Sequence, residues 1–540
     1  MANLISRRGF LKSSLVAGAA LSLGFYDSKK LSVNNRFDTI ISNGLIYAGD
    51  GKAPVKGAIG IKDGRIAAIG SIGDSADRII DAKGNAISPG FIDIHSHTDG
   101  NIFISPLGDS KIYQGITTDI SGNCGDSSFP KGGRWNSVED YYNDIKKQKA
   151  GFNVRSYIGQ GTLRQVVVGD NNVPATAAQM KEMKSLLAAE MERGAVGMTC
   201  GLEYTPGSYA TSEEIVELLK VVAKYDGLFA IHMRNEDDRV EEAVAESISM
   251  AKAAGVRLQI SHLKAQNANN WHKAPLLINQ IETAAREGLD IAFDRYPYIA
   301  FSTGLSVFIP LQERQGTTDE IIARLNNEAS AKAIGEYAVA RIKRLGGAQN
   351  VVVTSARVPE NKRFIGLNIE ECCKLTGLEP WPFIRKLLIE ERISVDMIGF
   401  AMREENVKLF LSHPLGMPIT DAGASSPIGR LSENMPHPRA YGSFPRFLGK
   451  YCRDEKLMDL SKGIQKCTSL PASRLKLKDR GLLTVGYQAD IVVFNPDTII
   501  DRATFAEPHQ FSAGIEHILV NGVWTIKNGV ATGDLGGVIA

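Results

Sequence analysis

Apolar and polar positions alternate in short runs at both ends of the chain, and helical spacing dominates its middle. Near the start, β-branched runs at Thr39–Ser42, Leu45–Ala48, Ile59–Ile61 and Ile66–Ile69 are separated by Asn43-Gly44 and Asp63-Gly64. Asn-Gly and Asp-Gly favour two-residue hairpin turns, because both turn residues must take positive φ. The far end repeats this style, with strands at Ile491–Phe494 and Ile518–Val520 and turns at Asn521-Gly522 and Asn528-Gly529. Neither end is long enough to bury a good core alone. Both are therefore expected to pack as one small β-sandwich domain, residues 34–88 plus 469–540, which the chain leaves and later rejoins.

Between them, strand-like runs alternate with helical ones. The predicted strands are Ala86–His97, Thr117–Gly122, Val154–Gly159, Val196–Gly201, Leu228–His232, Leu258–His262, Ile291–Tyr296 and Met417–Asp421. Helical patterns include Ala177–Arg193, Ser212–Tyr225, Val240–Ala254 and Ala274–Glu287. Such alternation predicts parallel strands, and this number of them predicts an α/β fold, a TIM-like (β/α)8 barrel over residues 89–468. Residues 303–403 are too many for one connection and carry helical patterns of their own, so they read as a subdomain inserted over the barrel mouth.

Composition narrows the function classes. Over 540 residues, 43% are hydrophobic and 23% charged, which excludes disorder, collagen and coiled coil for the bulk of the chain. A balance of 62 basic against 60 acidic residues offers no electrostatic reason for nucleic acid as a partner. Six cysteines in so long a chain are no disulfide framework. The longest strongly apolar run, Leu15 to Phe25, falls short of the roughly 20 residues that span a bilayer. That run follows Ser6-Arg7-Arg8-Gly9-Phe10-Leu11-Lys12 and precedes Asp27, Lys29 and Lys30. A basic start, short apolar middle and polar end describe an export signal. The paired arginines make it twin-arginine-like, the type that carries folded proteins out of the bacterial cytoplasm. Residues 1–33 are accordingly set apart from the fold, and a periplasmic or extracellular destination is expected.

The chemistry gathers at one end of the predicted barrel strands. In Gly90-Phe91-Ile92-Asp93-Ile94-His95-Ser96-His97, residues two apart on a strand share a side, so His95 and His97 aim together. Two imidazoles at a strand end can hold a divalent metal, and that rim is where such barrels keep their sites. Asp93 shares the face and is expected to support the pair from behind. Cys124, His232 and His262 follow or end three further strands; the last two lie 30 residues apart, about one βα repeat. Sulfur and imidazole are the usual zinc donors, and five ligands exceed what one zinc needs. The set predicts one tight zinc site and a second, weaker one. Asp421, at the end of the eighth strand, is placed to move a proton from the metal's water to a leaving amine. Arg439 offers a planar fork for two parallel hydrogen bonds to a carboxylate.

The chain resembles the N-acyl-D-amino-acid deacylases (D-aminoacylases) of the amidohydrolase superfamily. The likeness rests on Gly90–His97, Gly122-Asn123-Cys124-Gly125, Gly201–Gly207, His232-Met233-Arg234-Asn235-Glu236, Ser261-His262-Leu263-Lys264, Tyr296-Pro297-Tyr298 and His437–Arg446. It implies a β-sandwich with a TIM-like barrel, and zinc-dependent hydrolysis of a small-molecule N-acyl-D-amino acid to a carboxylic acid and a D-amino acid. It also implies Cys124, His232 and His262 as the tight zinc site, His95 and His97 as the weak one, and Asp421 as acid/base. Tyr296, Ser302 and Arg439 match positions that hold the substrate's α-carboxylate. A D-amino-acid dipeptidase or a cyclic amide hydrolase of the same superfamily is the rival enzyme. A catalytically dead binding barrel is the rival outside enzymes, although such proteins lose ligands and none is missing here.

Overall fold

Strands from the two chain ends are hydrogen-bonded into one sheet. In this computed structural model, residues 36–540 are described; the signal segment read at residues 1–33 lies outside them. The sheet has nine strands: Phe37–Ile46, Val55–Lys62, Arg65–Gly70, Ala76–Asp81 and Ala86–Pro89 from the start, and Ile491–Phe494, Ile515–Val520, Val523–Lys527 and Val530–Ala531 from the end. The seam lies between Ala86–Pro89 and Ile491–Phe494, which run antiparallel with Ile87 opposite Val493. Ile41, Ile59, Ile87, Ile491, Val493 and Leu519 form a buried cluster beneath it. Each such side chain contributes about 1.5–3 kcal/mol on leaving water.

The hairpin prediction needs one correction. Asn43-Gly44 does not turn the chain; Phe37–Ile46 runs through it as one strand, with the register shifting between Ile41 and Gly44. Asn43 does take a left-handed backbone, with φ 54°. A β-bulge asks for that conformation as readily as a turn does, so the dipeptide alone could not separate the two. Gly44 is required there for space, since a Cβ would sit 2.3 Å from Ile87. Asp63-Gly64 and Asn521-Gly522 do turn between antiparallel strands.

The barrel strands are β1 (Phe91–Asp93), β2 (Ile116–Ser121), β3 (Asn153–Ser156, continued by Ile158–Gly159), β4 (Gly197–Gly201), β5 (Leu228–His232), β6 (Arg257–Ile260), β7 (Ile291–Arg295) and β8 (Gly416–Pro418). They pair in parallel in chain order, and the ring closes where the Asp421 amide donates to the His95 carbonyl at 3.0 Å. The expected strand Ala86–His97 is broken at Gly90: Ala86–Pro89 belongs to the terminal sheet and Phe91–Asp93 to the barrel. At that corner a Cβ would lie 1.9 Å from the Thr117 hydroxyl.

Helices fill the connections as their patterns predict. Over Ser212–Lys224, Ile215, Leu218, Leu219 and Val222 recur on one face and are buried. Thr211 caps the start by accepting from the Glu214 amide. Between β7 and β8, the strands Ala300–Gly304, Val351–Val353 and Asp396–Phe400 form a small antiparallel sheet. The helices of this segment, among them Glu328–Arg344 and Pro380–Glu390, bury Ile334, Phe383, Ile384 and Leu387 in its core. Its Ser302, Thr303, Arg341 and Thr354 line the cavity at the barrel mouth.

Candidate metal centre and active-site cavity

The cavity holds about 860 Å³ and has Cys124, His232, His262, Asp421, Tyr296 and Arg439 among its walls. Cys124, His262, Tyr296 and Asp421 sit just past strands, where the chain leaves the sheet and its backbone can turn sharply; His232 ends β5, and Arg439 begins the helix Arg439–Arg446. Cys124, His262 and Asp421 have positive φ of 53°, 35° and 50°. A non-glycine residue held there costs about 1–3 kcal/mol and persists only where its surroundings over-determine it. Three at one cavity mark the place where the fold stores strain.

Cys124 Sγ lies 3.4 Å from His262 Nε2, 3.9 Å from His232 Nδ1 and 3.4 Å from His95 Nε2, and the two histidine nitrogens of β5 and β6 are 3.0 Å apart. Zinc with bonds of about 2.3 Å to sulfur and 2.0–2.1 Å to nitrogen has tetrahedral edges of about 3.3–3.7 Å, which these separations straddle. His95 Nε2 and His97 Nε2 approach Asp421 Oδ1 at 3.3 and 3.1 Å, so a second group of donors adjoins the first. His95 is as near to Cys124 as His262 is, and the two groups share the thiol.

The charges suit a cation. Burial works to keep the Cys124 thiol protonated, but the His95 and His262 imidazoles outweigh it and hold the thiol well below its ordinary value. That is the deprotonated form a metal ligand needs. Burial likewise opposes charge on Asp421, yet the Arg439 guanidinium, with His262 and His95, holds its carboxyl well below the usual range. Asp421 therefore stands ionised.

Behind the donors lie carboxylates that the sequence reading did not single out. Asp294, near the end of β7, faces His95 Nδ1 at 3.3 Å. Glu236 faces His262 Nδ1 at 3.0 Å and accepts from Lys264 at 2.7 Å. Glu203 lies 3.7 Å from His232 Nε2, which is buried without a hydrogen-bond partner. Carboxylates in this position fix ring orientation and raise ligand basicity. Glu236 could have been suspected from its place four residues after His232; Asp294 is hidden in an apolar strand. The role expected of Asp93 is corrected. β1 ends at Asp93, so strand alternation does not extend to His95, and the carboxylate turns down to Lys111 and Thr420 instead.

Arg439 donates to Asp421 Oδ2 at 2.6 Å and lies over the Tyr296 ring at 4.6 Å. Its Nε and the Tyr296 hydroxyl are both buried and without partners, and Ser302 lines the same cavity. Tyr296 and Arg439 are thus in contact, and Ser302 lines the same cavity.

Residues 78–158 and 406–526 match the family described as Amidohydrolase family, and residues 4–24 match the twin-arginine translocation signal sequence. N-acyl-D-glutamate deacylase of Alcaligenes xylosoxydans xylosoxydans is 34% identical over 506 residues, covering 91% of this chain and 94% of the relative. The crystal structure of N-acyl-D-glutamate deacylase from Bordetella bronchiseptica, complexed with zinc and a phosphonate mimic of the tetrahedral intermediate, superposes with a TM-score of 0.81. It is 32% identical and matches 93% of this chain and 99% of that one. The chain belongs to the amidohydrolase family, beside the D-aminoacylases. A solved D-aminoacylase, 30% identical with a TM-score of 0.79 over 93% of this chain and 99% of its own, is described as having a binuclear metal center with one-metal activation and second-metal attenuation. Its twin-arginine signal directs this amidohydrolase across the membrane. No helix among the described residues is long and apolar enough to cross one.

Proposed function

We propose that this amidohydrolase is a zinc-dependent hydrolase of N-acyl-D-amino acids that releases a carboxylic acid and a D-amino acid after export. The observation that carries the reading is the convergence of one thiolate and two imidazoles beside an ionised, buried carboxylate in a cavity large enough for the substrate. Cys124, His232 and His262 would hold a tight zinc, and His95 and His97, with Asp421, a weaker second. The binuclear centre of the D-aminoacylase neighbour supports both.

When bound, zinc would supply Lewis acidity to the scissile carbonyl and lower the pKa of water at the site to about 7. Asp421 takes one proton from the water as its oxygen adds to the carbonyl carbon, and delivers it to the nitrogen as the carbon–nitrogen bond breaks. Arg439 presents Nε, and Tyr296 its hydroxyl, to the substrate's α-carboxylate, with Ser302 beside them. Fixing the carboxylate on one side of the metal leaves only one face for the side chain, which is how handedness is read. Glu203, Glu236 and Asp294 hold the imidazoles in place.

The test is a panel of N-acetyl-D-, N-acetyl-L- and D-dipeptide substrates with released amine measured, on protein whose zinc is counted. Turnover confined to N-acetyl-D compounds, with zinc bound, is expected. Preference for dipeptides would move the chain to the dipeptidases, and turnover without metal would overturn the zinc role.

A further inference from the structure

Beneath the cavity floor a lysine that the chemistry above does not use meets both flanks of Asp421. Lys111 belongs to the short helix Asp109–Ile112, which enters through Gly108 at φ 64° and carries the side chain between the C-terminal ends of β1, β2 and β8. The side chain is entirely buried. Its ammonium lies 2.8 Å from Asp93 Oδ2 and 3.0 Å from Asp119 Oδ1. It also donates to Thr420 Oγ1 and the Ala422 carbonyl, each at 2.8 Å, and to Ser96 Oγ at 2.9 Å. An ammonium has three protons, so five acceptors share them.

The identity of those acceptors is the point. Thr420 and Ala422 are the neighbours of Asp421 on either side, and Ser96 separates His95 from His97. The same contacts are tied together further: Asp93 Oδ1 accepts from the Thr420 amide at 3.1 Å, and the Ala422 carbonyl accepts from the His97 amide at 3.2 Å. The next residue along, Ser110, exchanges two bonds with Ser425, its amide donating at 3.0 Å and its hydroxyl accepting at 2.8 Å. Asp421 itself is one of the residues held at positive φ. Such a backbone needs outside restraint, and a single charge bonded to the residues before and after it supplies that restraint.

We infer that Lys111 is a positioning residue, a buried clamp that holds Asp421 in its left-handed conformation and sets it against His95 and His97. It touches no substrate. The tight group Cys124, His232 and His262 stands at the ends of β2, β5 and β6 and makes no hydrogen bond to Lys111, whereas the residues flanking Asp421 and the one between His95 and His97 do. The inference rests on the proposed acid/base role of Asp421 for its kinetic consequence, and on the proposed second zinc group of His95, His97 and Asp421, but not on the substrate, for its effect on metal.

Two variants test it on the full chain. Lys111→Met with Asp119→Asn removes the clamp and one of the charges it balanced; Thr420→Val keeps shape and removes the hydroxyl that accepts from Lys111 and the Ala422 amide and donates to Asp93. Outer partners of a metal site are typically worth 10- to 100-fold in affinity or activity. In both variants kcat for the N-acetyl-D substrate should fall about 10- to 100-fold while KM stays within about threefold. By calorimetric titration, the first equivalent of zinc should bind as in the parent and the second about tenfold or more weakly. Combining Lys111→Met/Asp119→Asn with Thr420→Val should add little to either loss, because both cut the same link. If the lysine variant fails to fold, Thr420→Val decides alone. A folded variant with parental kcat and parental affinity for both zinc equivalents overturns the clamp. If the parent shows no turnover on N-acyl-D-amino acids, the functional reading fails by itself, and the second-equivalent affinity still decides the clamp.

Discussion

Replacing Asp421 by asparagine removes the proton-moving carboxylate while leaving the tight-site donors Cys124, His232 and His262 in place. The amide is isosteric and, like aspartate, is among the few side chains that tolerate a left-handed backbone, so φ of 50° is no obstacle. The change removes the acceptor that Arg439, His262 and His95 keep ionised. It leaves Cys124, His232 and His262 untouched. General acid–base groups contribute about 10²- to 10⁴-fold, or about 3–5 kcal/mol at 1.36 kcal/mol per decade. Folding also loses the bond from Arg439 to Asp421. Truncating a buried pair costs up to about 3–5 kcal/mol, and the amide oxygen, still an acceptor, should keep the loss below that range. The assay measures kcat and KM on an N-acetyl-D-amino acid, zinc per chain, and the thermal midpoint in one preparation. The expected outcome is kcat down at least about a hundredfold, tight-site zinc unchanged, and a folded protein. A kcat within tenfold of the parent would refute the acid/base role. Loss of all zinc would instead make Asp421 chiefly a ligand.

Other expectations follow from the same geometry. Cys124→Ser should lose the tight zinc, with affinity falling by at least the roughly 10- to 100-fold that mere outer partners are worth; zinc analysis after dialysis checks this, and parental zinc content would exclude the thiol as a ligand. Arg439→Ala should raise KM about 10- to 100-fold for carboxylate substrates, the range of a hydrogen bond to a charged group, and leave KM for a carboxamide analogue nearly unchanged, while kcat for both falls because Asp421 loses its partner; an equal rise in KM for both would remove the anchor. Phe91→Ala should cost about 3–5 kcal/mol, because the ring stacks on Phe444 at 5.7 Å and meets Phe494 edge-on at 6.2 Å where barrel and terminal sheet join; an unchanged urea midpoint would show that seam to be slack.

Much of the architecture was legible in the chain because its patterns are local. Period-two runs with Asp63-Gly64 and Asn521-Gly522 mark hairpins, and helices such as Val240–Ala254 are set by their apolar stripe and ended by a glycine at positive φ. Local rules failed where two structures ask the same thing of the backbone: Asn43-Gly44 made a bulge, and the run through Gly90 crossed from one sheet to another. The candidate donors Cys124, His232, His262, His95 and His97 were readable because each ends or closely follows a predicted strand, and a barrel brings all strand ends to one rim. Their partners were not. Asp294, Glu203 and Lys111 belong to no spacing rule; they are paired by burial, since a charge deprived of water must find an opposite one wherever the fold places it. The same cause turned Asp93 away from the histidine it precedes. Sequence thus determined which chemical groups reach the cavity, through strand period and chain order. Tertiary structure alone decided which charges stand behind them and how the backbone at Asp421 is held, because contacts across more than three hundred residues of chain, Lys111 to Thr420, are set by packing in three dimensions and not by any local preference.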